Sequence, residues 1–116
     1  MELKKRISDI LREIGVPAHI KGYKYLREAI IVVIEDPDAI HAISRTLYPA
    51  VAKMNATTSS RVERSIRHAV EVAFERGDPD VLKTYFGNTV SAKKGKATNS
   101  EAIAAIADML CLEMNI

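Results

Sequence analysis

One cysteine, Cys111, stands in the 116 residues. Neither an intramolecular disulfide nor a cysteine zinc site is available, and a lone thiol suits a reducing cytosol. No apolar run comes near the roughly 20 residues that a membrane-spanning helix needs. The first residues, Met1 to Ile14, mix Lys4, Lys5, Arg6 and Glu13 with Ile and Leu, unlike the apolar centre of a secretory leader. Glycine-rich phosphate loops and nucleophile motifs are missing. Asp9, Glu13, Glu28 and Glu35 lie among basic residues and suggest no paired-acid site. His19, His41 and His68 are far apart, without acidic or cysteine neighbours at ligand spacing, so no metal and no cofactor is expected. An enzyme is not expected either. Net charge is only +2, so any nucleic-acid footprint must come from where the charge sits rather than from its total. These absences leave a soluble cytoplasmic domain. Its 47% hydrophobic and 28% charged residues, at a mean hydropathy of −0.04, suffice for one compact core.

What is present is helical period and helical punctuation. Leu3, Ile7, Ile10, Leu11 and Ile14 form an apolar stripe stopped by Gly15 and Pro17. Tyr23 to Glu35 continues with Leu26, Ala29, Ile30, Val33 and Ile34. Its Ile30–Ile34 run is β-rich in isolation, but the flanking residues favour helix and no partner strand of similar strength exists. Asp36-Pro37 reads as an N-cap and first-turn proline opening a helix through Ile40, Ile43 and Leu47. Tyr48-Pro49 either breaks that helix or starts the next, which holds Val51, Ala52 and Met54. Asp78-Pro79 repeats the cap-then-proline signal for a short helix ending at Gly87-Asn88. Thr98-Asn99-Ser100-Glu101 is a capping box opening a last helix through Ile103, Ile106, Ala107 and Leu110. The expectation is an all-α fold of about six helices with a central helix-turn-helix, one domain over residues 1–116.

The segment Ala52 to Arg76 carries the functional signal. A short helix and a polar turn lead into a helix over about residues 59–76, whose back is Val62, Ile66, Ala69, Val70 and Ala73. Its front holds Ser60, Arg61, Arg64, Arg67 and His68. Helix-turn-helix proteins present side chains to the DNA major groove in this way. Arginine donates two hydrogen bonds to guanine and glutamate accepts one from the cytosine amino group, so Arg61, Arg64, Arg67 and Glu63 suit a short site containing G and C. Thr57, Thr58 and Ser60 sit where the positive end of the helix dipole favours phosphate. Competing readings are structural. Ser60 to Glu63 also matches a capping box, and Arg64 or Arg67 could pair with Glu71, or Arg64 with His68, as solvated side chains. His19 suits packing or a hydrogen bond near the first loop. Lys21-Gly22-Tyr23-Lys24 either touches a phosphate or connects two helices, and Lys93, Lys94 and Lys96 either stay solvated or add phosphate contacts.

Three stretches, GVPAHIKGYKYLREAI (Gly15 to Ile30), LYPAVAKMNATTSSRVERSIRHAVEVAFERG (Leu47 to Gly77) and YFGNTVSAKKGKATNSE (Tyr85 to Glu101), together resemble one family. It is the C-terminal effector domain of the stage 0 sporulation master response regulator of endospore-forming Firmicutes. The resemblance implies a six-helix domain that reads a short sporulation box with a TCG core. It puts Glu63, Arg64 and Arg67 at base-reading positions with Arg61 close by, and Thr58, Ser60, His68, Lys94 and Lys96 on the backbone. It further implies contact with the housekeeping sigma factor of RNA polymerase through Pro79, Val81, Lys83, Phe86 and Val90, and head-to-tail pairing on tandem sites through the last helix. Asp78-Pro79 and Lys83-Thr84-Tyr85 are atypical of the sigma-contacting segment, and Asp108 to Ile116 lacks the basic residues usual near that end. The phosphorylated receiver domain of full-length members has no counterpart in these residues. A helical interaction module that modulates a full-length relative without binding DNA is the competing function.

Overall fold

The computed structural model describes residues 2–87 and 95–116, and every regular element among them is helical. The first stripe becomes α1 (Leu3–Glu13), burying Ile7, Ile10 and Leu11 completely. Gly15 ends it at φ +97, where the Val16 amide reaches back to the Leu11 carbonyl at 2.9 Å, a C-cap that favours a residue without Cβ. The apolar run Ile30–Ile34 is helical, within α2 (Lys21–Glu35). Its density has a packing cause: α2 is flanked by α1, by α3 (Tyr48–Met54), by α4 (Ser59–Arg76) and by α6 (Asn99–Met114), which bury Ile30 and Val33 and half-bury Ile31, Val32 and Ile34, leaving Glu28 and Glu35 on the side toward solvent.

The expected α-helix after Asp36 does not form. Pro37–Ala42 is a 3₁₀ turn and Ile43–Leu47 a wider π turn that runs into α3. The Asp36 side chain caps nothing; its carbonyl instead receives the Ala39 amide at 3.0 Å. Pro49 lacks the N–H that an uninterrupted α-helix would need there. The chain changes pitch before it, with the Tyr48 amide bonding to Ile43 five residues back, and Pro49 falls in the first turn of α3, where the missing donor costs nothing.

Between α3 and α4 the Thr57 amide donates to the Ala52 carbonyl at 3.0 Å, and Ala56 sits at φ +50. The Asn55 amide anchors this turn by donating to Val51 O and to Glu28 Oε1 on α2, each at 2.8 Å. Thr58, not Ser60, caps α4: its Oγ1 accepts the Arg61 amide at 3.2 Å. The predicted back of α4 (Val62, Ile66, Ala69, Val70 and Ala73) is at most 4% exposed. Asp78 caps α5 (Pro79–Phe86) through the Asp80 amide at 2.8 Å. Thr98 and Glu101 close the predicted capping box of α6, with reciprocal bonds of 3.1 and 2.8 Å. His19, expected to pack or to hydrogen-bond near the first loop, is exposed.

Lys21 to Lys24 is the first turn of α2, and Gly22 within it has the closest surroundings of the glycines in the described residues. A Cβ there would lie 2.1 Å from the Ser65 carbonyl oxygen and 2.7 Å from the Ala69 Cβ. Gly77, just past α4, would likewise bring a Cβ to 2.4 Å from Ile14 O. At the other edge Arg6 grips Glu113 with two parallel bonds of 3.0 Å, Nε to Oε2 and Nη2 to Oε1, joining the first helix to the last.

Gly22→Ala gains at most about 1 kcal/mol of helix propensity and drives a methyl into backbone. It is expected to lose about 3 kcal/mol net in urea unfolding, whereas Lys24→Ala, exposed on the same turn, changes little. The Arg6 bond holds the Glu113 carboxyl below its ordinary range. A depressed folded-state value gives stability that is present above the unfolded value and lost as pH falls through the folded one. The melting temperatures of wild type and Glu113→Gln should therefore differ at neutral pH and converge on acidification, as read by circular dichroism.

Candidate nucleic-acid interface

With its back buried and Thr58 at its start, α4 has one register available for its charged side chains. Arg61, Arg64, Arg67 and His68 are all exposed, and Glu63 lies at the flank of the same face. Because the cap is Thr58, Glu63 falls beyond capping-box reach and its carboxylate is left for other work. It meets Arg67, with Oε2 3.3 Å from Nη1. The Arg67 Nε is in turn 4.0 Å from Glu71 Oε1, and Glu71 Oε2 lies 3.5 Å from Nζ of Lys96 in the loop before α6. The ridge therefore alternates in sign, Glu63, Arg67, Glu71, Lys96. Side chains this exposed gain only about 0.3–0.5 kcal/mol per pair, enough to orient the groups and little enough to be exchanged for a ligand. Arg61 and Arg64 form no ion pair among the described residues.

A second set of residues fixes the backbone under this ridge. The Asn99 side-chain amide, in the first turn of α6, donates to Tyr48 Oη at 3.0 Å and to the Glu63 carbonyl at 3.1 Å. One side chain thus ties together the starts of α3 and α6 and the leading half of α4. Burial pushes the Tyr48 phenol upward in pKa, and the Asn99 bond opposes that shift. Two open clefts flank the ridge and share Tyr48, Glu63 and Arg67. One, about 480 Å³, continues to Lys96, Thr98 and Asn99; the other, about 490 Å³, reaches Ser44, Ser59, Ser60 and Arg64. Neither is an enclosed chamber of the kind that surrounds a small substrate. Among the described residues no three His, Cys, Asp or Glu side chains converge on a metal position.

The structure brings Glu63, Arg64 and Arg67 onto one surface with Ser60, Arg61, His68 and Lys96, and sets Thr58 at its edge. The Thr58 oxygen already serves as the helix cap, leaving its hydroxyl proton as the available group. Lys94 and Val90 lie outside the described residues. Of the remaining sigma-contact set, Pro79 and Lys83 are exposed and Val81 is half-buried. Phe86 is a correction: it is 3% exposed and its ring packs on Phe74 at 5.3 Å between centroids, so it supports the surface from the core. The sequence reading missed Tyr48 and Asn99. Both stood in motifs already explained as helix punctuation, and their pairing spans residues no periodicity connects.

A family model described as "Sporulation initiation factor Spo0A C terminal" matches residues 7–110. The chain belongs to that family. The matched span runs from α1 into α6, so the α3–turn–α4 unit, the Asn99 bridge and the alternating ridge all fall inside it. Spo0A C-terminal domains are DNA-binding regulators of sporulation, not an enzyme family, and the exposed cationic front of α4 on an all-helical scaffold agrees with that role. No helix among the described residues is long and apolar enough to cross a membrane.

Asn99→Ala removes two bonds at once and leaves the Glu63 carbonyl and the Tyr48 hydroxyl short of a partner. It is expected to cost about 1–3 kcal/mol in chemical unfolding. Tyr48→Phe, which loses one of the two, should cost about half as much. Equal effects would show that the bridge to α4 contributes nothing.

Proposed function

We propose that α4 is the recognition helix of a sporulation-type transcription regulator and enters the major groove of a short TCG-containing box. The observation that carries the reading is the division of α4 itself: a fully buried back, and a leading half whose front offers Arg61, Arg64 and Arg67 beside Glu63. Glu63 and Arg67 stand 3.3 Å apart, an acceptor next to a forked donor. That pair matches adjacent cytosine and guanine edges, the carboxylate taking the cytosine amino proton and the guanidinium donating to guanine O6 and N7. Arg64, without a carboxylate partner among the described residues, reads a further base, and Arg61 supports it from one turn earlier. Ser60, His68, Lys96 and the Thr58 hydroxyl face the phosphates on either side, with Lys94 assigned the same part.

In this reading residues 1–116 form one effector domain working in the cytoplasm. Pro79, Val81 and Lys83 offer the accessible part of an activating surface toward the polymerase sigma factor, over a floor that includes Phe86, with Val90 adjoining in sequence. Pairing of two domains head-to-tail on tandem boxes would use the end of α6, where Leu112 and Ile116 are 76% and 71% exposed.

Gel-shift titration tests the proposal on two duplexes, one carrying the TCG box and one scrambled, at about 50 and about 200 mM salt. Wild type is expected to prefer the box and to weaken steeply with salt. Arg64→Ala should lose about 1–3 kcal/mol on the box and relax the preference at one base pair. An equal loss on both duplexes would remove Arg64 from base reading. No retention of either duplex by wild type would leave the interaction module as the better account.

A further inference from the structure

Glu71 has no part in a cap and no place in the core, yet among the described residues it is the one carboxylate paired with two cations from different elements. One of its oxygens faces Arg67 on α4 and the other faces Lys96 in the loop before α6. Its side chain is 40% exposed, so the fold does not rest on it. It sits one turn beyond Arg67, away from the leading end of α4. From there its negative charge meets any phosphate drawn toward Arg67 or Lys96.

We infer that Glu71 is a specificity-setting residue: it occupies the two cations that would otherwise bind DNA of any sequence, and releases them without loss only when the correct bases replace it. The inference rests on the base-reading proposal above. On a matching site Arg67 gains a guanine and Glu63 a cytosine, and those bonds offset the ion pairs given up. On a wrong sequence the phosphates must displace Glu71 with no base contact in return, so a non-matching complex carries the repulsion uncompensated. Discrimination comes from weakening the competitor more than from strengthening the target. The device suits a chain whose net charge is only +2, since it confines attraction for DNA to sites that satisfy the ridge.

The test is Glu71→Gln, which keeps shape and removes charge, against Glu75→Gln, which removes the same charge from an exposed position of the same helix that forms no ion pair among the described residues. Fluorescence anisotropy with boxed and scrambled duplexes across a salt series gives affinity and salt slope for each. Glu71→Gln is expected to tighten the scrambled duplex roughly fivefold, the worth of one unit charge close to a phosphate in water, and the boxed duplex less than about twofold. Its salt slope on scrambled DNA should steepen by about one unit as Lys96 becomes available, and Lys96→Ala in that background should cancel the gain. Glu75→Gln should leave the ratio of the two affinities unchanged. If both variants behave alike, or Glu71→Gln tightens both duplexes equally, Glu71 contributes bulk charge only and the inference fails. A wild type that does not distinguish the duplexes overturns the base-reading proposal, and the role of Glu71 with it.

Discussion

The close approach of α2 to α4 through Gly22 is the constraint on which the rest of the molecule depends. With 2.1 Å between the position of a Cβ and the Ser65 carbonyl oxygen, the two helices meet backbone to backbone, with no intervening side chain to adjust the gap. Interiors are close-packed and do not deform smoothly, so this contact fixes how far α4 sits from the centre. Gly77 repeats the arrangement at the far end of α4, against the carbonyl of Ile14. A helix held by backbone contacts along its length has little freedom to roll. The direction in which Arg64 and Arg67 point follows from that as much as from their own rotamers.

Electrostatics at the surface then works within a fixed frame. A domain with so small a net charge has no general attraction for polyanions to exploit, and its cationic front is interleaved with Glu63 and Glu71. The Asn99 amide holds the carbonyl of Glu63 from below while the Glu63 side chain meets Arg67 above. Backbone and side chain of one residue are thus set by two different elements, which is how a flexible carboxylate can be kept near one position without being buried. Such support determines the precision of a binding surface more than the energy of any single pair.

Much of this was legible in the sequence. The apolar stripes of α1, α4 and α6 needed only periodicity, and the caps at Asp78 and Thr98 needed only local chemistry. The bounds of α4, read as about 59–76, coincide with Ser59–Arg76, although the residue that caps it is Thr58 and not Ser60. Residues Pro37 to Leu47 were misread because their pitch is set by Pro49 ahead of them and by packing, neither of which leaves a helical signature. Tyr48 and Asn99 were invisible for a different reason: their bond is long-range, and each already had a sufficient local explanation. Helical spacing placed Arg61, Arg64, Arg67 and His68 on one face and allowed an Arg67–Glu71 pair, but it gave no sign that Glu63 and Glu71 would both hold Arg67.

Ala56 gives the turn into α4 a thermodynamic character of its own. Its backbone lies at φ +50, a region that costs an alanine about 1 kcal/mol and a glycine almost nothing. The penalty falls on folding and is met there by the Thr57 and Asn55 bonds. In exchange the turn has few other conformations to visit, so the angle between α3 and α4 is settled before any partner arrives. Whatever docks across the two helices finds them already ordered and loses no affinity to freezing the joint between them.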